Sequence, residues 1–260
     1  MSEGAIDPWR GAAAQAPRPT WRSRFVPPLL TLLGVAALAW MAADLGLTPA
    51  QLGGGLGRLW RMLSTMFPPT SGGQTLHLLN ALGQTLAIAF IGTVLAALLA
   101  LPLGIIGAKT VVSQPVLHFG FRRCLDMFRG VPALVWALVL VSAFGLGPFA
   151  GVCALVLADI PHLSKLFAEA IENADAKPIE GVRSAGVAPL AVVRFGLLPQ
   201  VLPVMASQCL FYLESNFRHA AVLGIVGAGG IGYELEERIR VFSFDTALFI
   251  ILLYMLAVAI

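Results

Sequence analysis

The chain has 260 residues, of which 58% are hydrophobic and 12% charged, with a formal net charge of +3. One water-soluble core cannot bury that much apolar surface, and several uncharged runs reach bilayer length, so the composition excludes an ordinary soluble domain and predicts an all-α, polytopic transmembrane helical bundle of about six spans. The 17 Lys and Arg residues alternate with hydrophobic blocks instead of forming a stripe, which argues against nucleic acid and makes the charge a topology signal.

Residues 1–25 are rich in Ala, Pro and Arg without a periodic apolar face, and read as a disordered cytosolic tail. Residues 26–74 hold the first span, Val26 to Ala43, and an outer loop. Ala37-Leu38-Ala39 resembles a signal-peptidase site, but the apolar run before it is long for a signal peptide, so a retained anchor is expected. The core domain occupies 75–260. Its first crossing, Thr85 to Ala108, has Pro102 and Gly104 as bending points.

Val131 to Ala158 is uncharged over 28 residues, and charge parity resolves it into a hairpin of two spans broken at Gly145-Leu146-Gly147-Pro148. With the amino terminus inside, this reading places twelve Lys and Arg residues in the cytosol and four outside (Arg58, Arg61, Arg238, Arg240), with Arg218 left within a span. A single long span would move Lys165, Lys177, Arg183 and Arg194 outside and spoil the asymmetry. Span five runs from about Val201 to Val222 and span six from Thr246 to Ile260, so both termini are cytosolic. Span six stops without a basic flank, which suggests a further natural tail.

Between spans four and five, Glu180 to Pro199 is polar and punctuated by Gly and Pro. Pro178 suits a first helical turn, Gly186 a helix end and Pro189 a second helix start, so the segment predicts two short helices at a sharp angle, the shape of a docking element. Gly227-Ala-Gly229-Gly230-Ile-Gly232 satisfies G-x-G-x-x-G, yet an apolar span leads into it, where a dinucleotide site needs a strand. Gly107-Ala108-Lys109-Thr110 echoes a phosphate loop but lacks the Gly-Lys adjacency. Cys124, Cys153 and Cys209 are widely separated and read as packing residues, with no metal site indicated. His77, His118, His162 and His219 hold no metal or triad spacing, which disfavours the rival reading of a membrane enzyme binding a nucleotide.

Glu214, Asn216, Arg218 and His219 fall near the outer half of span five, where ionisable groups face partners or a water-filled path. They are the candidate translocation path; a Glu214 to Arg218 pair, four residues apart on one helix face, is the alternative and is compatible with it. Asp159 and His162 are expected at the inner end of span four as interfacial polar residues with access to water.

The docking segment resembles the cytosolic coupling motif of ABC importer permeases, E-A-A-x-x-x-G followed by nine residues and I-x-L-P. Glu180, Gly186, Leu198 and Pro199 match at the right spacing; Gly181 and Val182 replace the two alanines, and Gly196 stands at the isoleucine position. Glu169-Ala170-Ile171 is a decoy, since Asp175 occupies its glycine slot. Pro132 to Leu138, Phe144 to Gly151, Lys165 to Glu172, Ser215 to Arg218 and Gly224 to Gly232 extend the likeness, over about Leu76 to Ile260, to permeases of phosphonate-type importers, including those for phosphite and hypophosphite. Methionine-type permeases share the coupling motif and a similar glycine-rich loop, so the same machine with an amino-acid substrate is the nearer alternative.

The resemblance implies the type I importer permease fold and a permease homodimer with two ATPase subunits and an external phosphonate-type binding protein. It implies a bacterial inner membrane, no bond chemistry and no cofactor in this chain, ATP and magnesium being held by the partner ATPase. Glu180, Gly181, Val182, Gly186, Leu198 and Pro199 would couple to the ATPase, and Gly227, Gly229, Gly230 and Gly232 are outer-loop candidates for contact with the binding protein.

Overall fold

The computed structural model describes residues 21–46, 49–109 and 114–259, and no strand occurs among them. The chain divides into two units, residues 1–64 and 65–260. The first unit carries α1 (Trp21–Asp44) and most of α2 (Pro49–Met66). Residues 1–20 of the expected tail lie outside the described residues; its last five are helical, because no Gly or Pro stands between Trp21 and Val26 to stop α1 from extending back. Along α1, Leu32, Val35, Leu38 and Trp40 are all exposed, the all-round apolar surface of a helix bound for lipid.

The second unit runs α3 (Thr75–Gly107), α4 (Pro115–Arg129), α5 (Ala133–Phe144), α6 (Pro148–Glu172), α7 (Ala176–Ser184), α8 (Pro189–Val192), α9 (Leu198–Leu223), α10 (Ile231–Arg240) and α11 (Phe244–Ala259). Its centre is the packing of α3 on α6. Small buried residues recur on α3 at Ala81, Thr85, Ala89, Ala96, Ala100 and Gly104, mostly four apart, and so form one stripe along the helix. That stripe lets two backbones approach closely, which is how helices associate where lipid offers no hydrophobic driving force. At Gly104 an added Cβ would lie 2.7 Å from the Cβ of Phe167, and at Gly92 3.0 Å from that of Leu155.

Three helices among the described residues are long and apolar enough to cross a membrane: 75–107, 148–172 and the continuous run 189–228. The bent pair 118–129 and 133–144, which turns by 77°, makes a fourth if it counts as one broken span. The expected count of about six is therefore not reached by length. α5 has 12 residues, about 18 Å of helix against a hydrocarbon core of about 30 Å, and the apolar stretch of α1 and the whole of α11 are also short. The break between α5 and α6 falls at the expected Gly145-Leu146-Gly147, with Gly145 at φ +86° and the Gly147 N–H donating to the Gly227 carbonyl at 2.9 Å.

Candidate functional site

Two places in the second unit concentrate unusual chemistry. The first is the turn between α6 and α9. Asp175 caps α7, its carboxylate accepting from the Lys177 N–H at 3.0 Å, and just beyond the end of α7 stands Gly186, whose φ of +70° favours a residue without a Cβ. Pro189 opens α8, which does not stop as a separate short helix. It passes through a π-turn at 193–197 into α9, where the Leu198 N–H reaches back five residues to the Val193 carbonyl. Pro199, lacking an N–H, is the physical reason to rearrange the ladder here without ending the helix.

α7 and α8 form the two arms of a hairpin over a cavity of about 740 Å³ that includes Ile171, Ile179, Val192 and Leu197. Glu180, Gly181, Gly186, Leu198 and Pro199 are exposed and Val182 is half-buried. Leu190 and Phe195 are also exposed, with the Arg194 guanidinium 5.5 Å from the Phe195 ring centre. Exposed apolar side chains on one segment with the exposed Lys177, Arg183 and Arg194 suit a protein partner better than water. Gln200, which the sequence reading missed, clips the turn to α9: its Oε1 accepts from the Asp175 N–H at 3.0 Å and its Nε2 donates to the Gly196 carbonyl at 2.6 Å.

The second place is a cavity of about 470 Å³ between α5, α6 and α9, open to Arg129, Asp159, His162, Tyr212, Ser215 and His219. Asp159 is 5% exposed and Asn216 fully buried. The Asn216 amide donates to the Asp159 carboxylate at 2.5 Å and to the Thr93 hydroxyl at 2.9 Å, tying α9 to α6 and α3. The His162 Nδ1 faces the Ala158 carbonyl at 2.9 Å, which makes it the protonated nitrogen of the neutral ring. This corrects the expectation of an interfacial Asp159. The helix continues to Glu172, so the first charge after the apolar run stands mid-helix, inside the bundle.

Of the four path candidates, the fold brings Asn216 and His219 to this cavity region and leaves Glu214 and Arg218 on an exposed face of α9, paired at 2.7 Å. The four loop glycines sit inward. An added Cβ would lie 1.9 Å from the Ala221 carbonyl oxygen at Gly232, 2.3 Å from the Thr85 hydroxyl at Gly230, 3.3 Å from Pro148 at Gly229 and 2.1 Å from Leu146 at Gly227. The contacts of these glycines are thus to this chain. The Gly230 N–H donates to the Gln84 side chain at 2.8 Å and the Ile231 N–H to the Thr85 hydroxyl at 2.7 Å, a use of the motif that needs no nucleotide. Cys153 and Cys209 are half-buried, as packing residues would be, whereas Cys124, on α4, is exposed. No cluster of three or more His, Cys, Asp or Glu side chains able to hold a metal occurs among the described residues.

Comparison with known proteins adds to this geometry. The family described as binding-protein-dependent transport system inner membrane component matches residues 100–260. A putative phosphite transport system permease protein of Stutzerimonas stutzeri is 35% identical over 92% of this chain and 83% of its own length. A phosphate-import permease protein of Mycolicibacterium smegmatis is 40% identical over 72% of this chain, which spans about a third (35%) of that relative. Among solved structures, an inward-facing MetNI methionine ABC transporter aligns with a TM-score of 0.63 over 73% of this chain and 93% of its own, at 23% identity, a likeness of fold.

Proposed function

We propose, from the premise that the chain belongs to the family of binding-protein-dependent transport system inner membrane components, that it moves a phosphorus oxyanion or small phosphonate inward across the bilayer. The observation that carries the reading is the polar cavity between α5, α6 and α9, a space with Arg129, Tyr212, Ser215 and two histidines inside an otherwise apolar bundle. The names of the relatives favour phosphorus oxyanions over methionine, since the methionine transporter shares the fold at lower identity.

The exposed α7 to α8 hairpin is the surface on which a partner ATPase would dock, with Glu180, Gly186, Leu198 and Pro199 in the contact. ATP and magnesium belong to that partner. ATP binding would close the ATPase pair and draw two copies of the hairpin together, shifting the permease dimer between inward- and outward-open populations. This chain then makes and breaks no bonds. Both termini are cytosolic in this reading. Single cysteines at positions 123 and 177 should resist an impermeant thiol reagent in intact cells while ones at 73 and 236 react. The function is tested by the ATPase rate of the reconstituted importer. Binding protein loaded with phosphite or methylphosphonate should stimulate it, and stimulation by methionine alone would refute the substrate assignment.

A further inference from the structure

Asp159 poses a problem for an anion path. Its carboxylate is 5% exposed, lines the cavity, and has no Lys or Arg within ion-pairing distance among the described residues. One oxygen, Oδ2, accepts from Asn216 at 2.5 Å; no protein donor serves the other among the described residues. Asn216, fully buried, spends its amide nitrogen on Asp159 and Thr93, and its own Oδ1 lacks a partner. The pair is held in place by three helices, and the carboxylate offers an acceptor to whatever enters the space.

The other groups facing it differ in kind. α4 supplies Arg129, α6 supplies His162, and α9 supplies Tyr212, Ser215 and His219; α5 contributes no titratable side chain. Arg129, Tyr212 and Ser215 can donate to anionic oxygen, whereas His162 spends its Nδ1–H on Ala158 and donates a second time only as an imidazolium; Asp159 is the one carboxylate among them. An anion bearing only acceptor oxygens would meet the carboxylate with nothing between two negative groups. An anion with one remaining acidic proton would meet it through a hydrogen bond, its other oxygens taken by the donors.

We propose that Asp159 selects phosphorus oxyanions that retain an acidic proton, its free oxygen accepting a hydrogen bond from a P–OH group while Arg129 and the hydroxyls of Tyr212 and Ser215 hold the remaining oxygens. Phosphite and alkylphosphonate monoanions carry that proton. Hypophosphite, with two P–H bonds and no P–OH, does not, and neither does sulfate at neutral pH. Asp159 is thereby a specificity residue of the path. The inference rests on the proposed transport of phosphorus oxyanions.

Asp159→Asn isolates the point, because its carbonyl keeps the acceptor for Asn216 and its amide nitrogen places a donor where the free oxygen stood. The measurement is phosphite uptake by the whole importer in proteoliposomes, with saturating binding protein, at about pH 5.5 and about pH 8, on either side of the second ionisation of phosphorus oxyacids, about pH 6 for phosphate esters. The readout is the ratio of variant to wild-type rate. The binding protein is common to both and cancels, as do His162 and His219 to the extent that they titrate alike in both. Ionisation of Asp159 itself does not cancel, and hypophosphite, a monoanion at both pH values with no P–OH, reads that part alone, so the phosphite ratio must rise beyond the hypophosphite ratio. The ratio should rise about fivefold or more from the lower to the higher pH, a gain that a folding defect cannot mimic. A ratio that stays level or falls overturns the selection by Asp159 while leaving transport intact. Should Asp159→Asn fail to assemble, Asp159→Ser, which both donates and accepts, must give the same rise. Wild-type importer that moves neither phosphite nor methylphosphonate overturns the transport reading itself.

Discussion

Gly196 lies so close to Ile179 that a Cβ on it would stand 3.0 Å from the Ile179 Cα. The glycine in the π-turn and the backbone of α7 are therefore fitted to one another, and the departure from the family's isoleucine is matched to a tighter approach of the two hairpin arms. Gly196→Ile, which restores the motif residue, should push α7 away at a cost of about 1–3 kcal/mol in packing. Reduced thermal stability together with reduced ATP-driven uptake is the expected result. Uptake equal to wild type would show that the approach of α7 to the π-turn is not needed for coupling.

Gly186 stands at φ +70° beyond the end of α7. A residue with a Cβ there costs about 1–2 kcal/mol, and proline is excluded by its fixed negative φ. Gly186→Pro and the charge reversal Glu180→Lys should each leave the chain inserted but uncoupled, with uptake lost and ATPase co-purification weakened. Normal values for both quantities in both variants would remove the hairpin from the coupling role.

The buried triad of Thr93, Asn216 and Asp159 predicts a stability effect separate from transport. Asn216→Leu strands the Asp159 carboxylate without its donor, at a cost of about 1–3 kcal/mol or more for a charged group. Asn216→Leu combined with Asp159→Leu should recover much of that loss, because the stranded group is gone. Thermal unfolding of the purified chain in detergent reads both. Equal stability of the Asn216→Leu variant and wild type would mean that the bond to Asp159 holds nothing together.

Glu214 and Arg218 face out from α9, away from the cavity, so their 2.7 Å contact is an exposed pair one turn apart. Such pairs contribute about 0.3–0.5 kcal/mol in water. If Arg218 serves as counter-ion to Glu214, the double change Glu214→Gln with Arg218→Gln should restore most of the uptake that Arg218→Gln loses. A double variant that assembles and stays slow would place Arg218 on the anion's route instead.

The local signals of this sequence were readable where chain stiffness alone decides. Pro189 and Gly186 mark the hairpin, and Gly145 to Gly147 the break before α6, because those residues act on their own backbone. What depends on a neighbour 50 residues or more away was not readable. Asp159 looked interfacial because the apolar run ends beside it, and only the packing of α3 and α9 around α6 shows it to be interior. The glycines at 227, 229 and 230 were expected in an outer loop, and nothing local in the sequence shows that Leu146, Pro148 and Thr85 occupy the space their side chains would need. The count of about six spans is not confirmed for a different reason: α5 is halted at Gly145 after 12 residues, and hydropathy alone does not say whether a broken helix crosses. A search for charged residues just past an apolar run, tested against continued helical periodicity, would have found Asp159.

Accumulation of solute is the direct measure of phosphorus-oxyanion import by this chain. Proteoliposomes holding this chain with its ATPase, supplied with ATP and the loaded binding protein, should concentrate labelled phosphite or methylphosphonate against a gradient, and Gly186→Pro should abolish it without loss of the inserted chain. Accumulation of methionine in place of either phosphorus compound, or phosphite accumulation undiminished by Gly186→Pro, would contradict it.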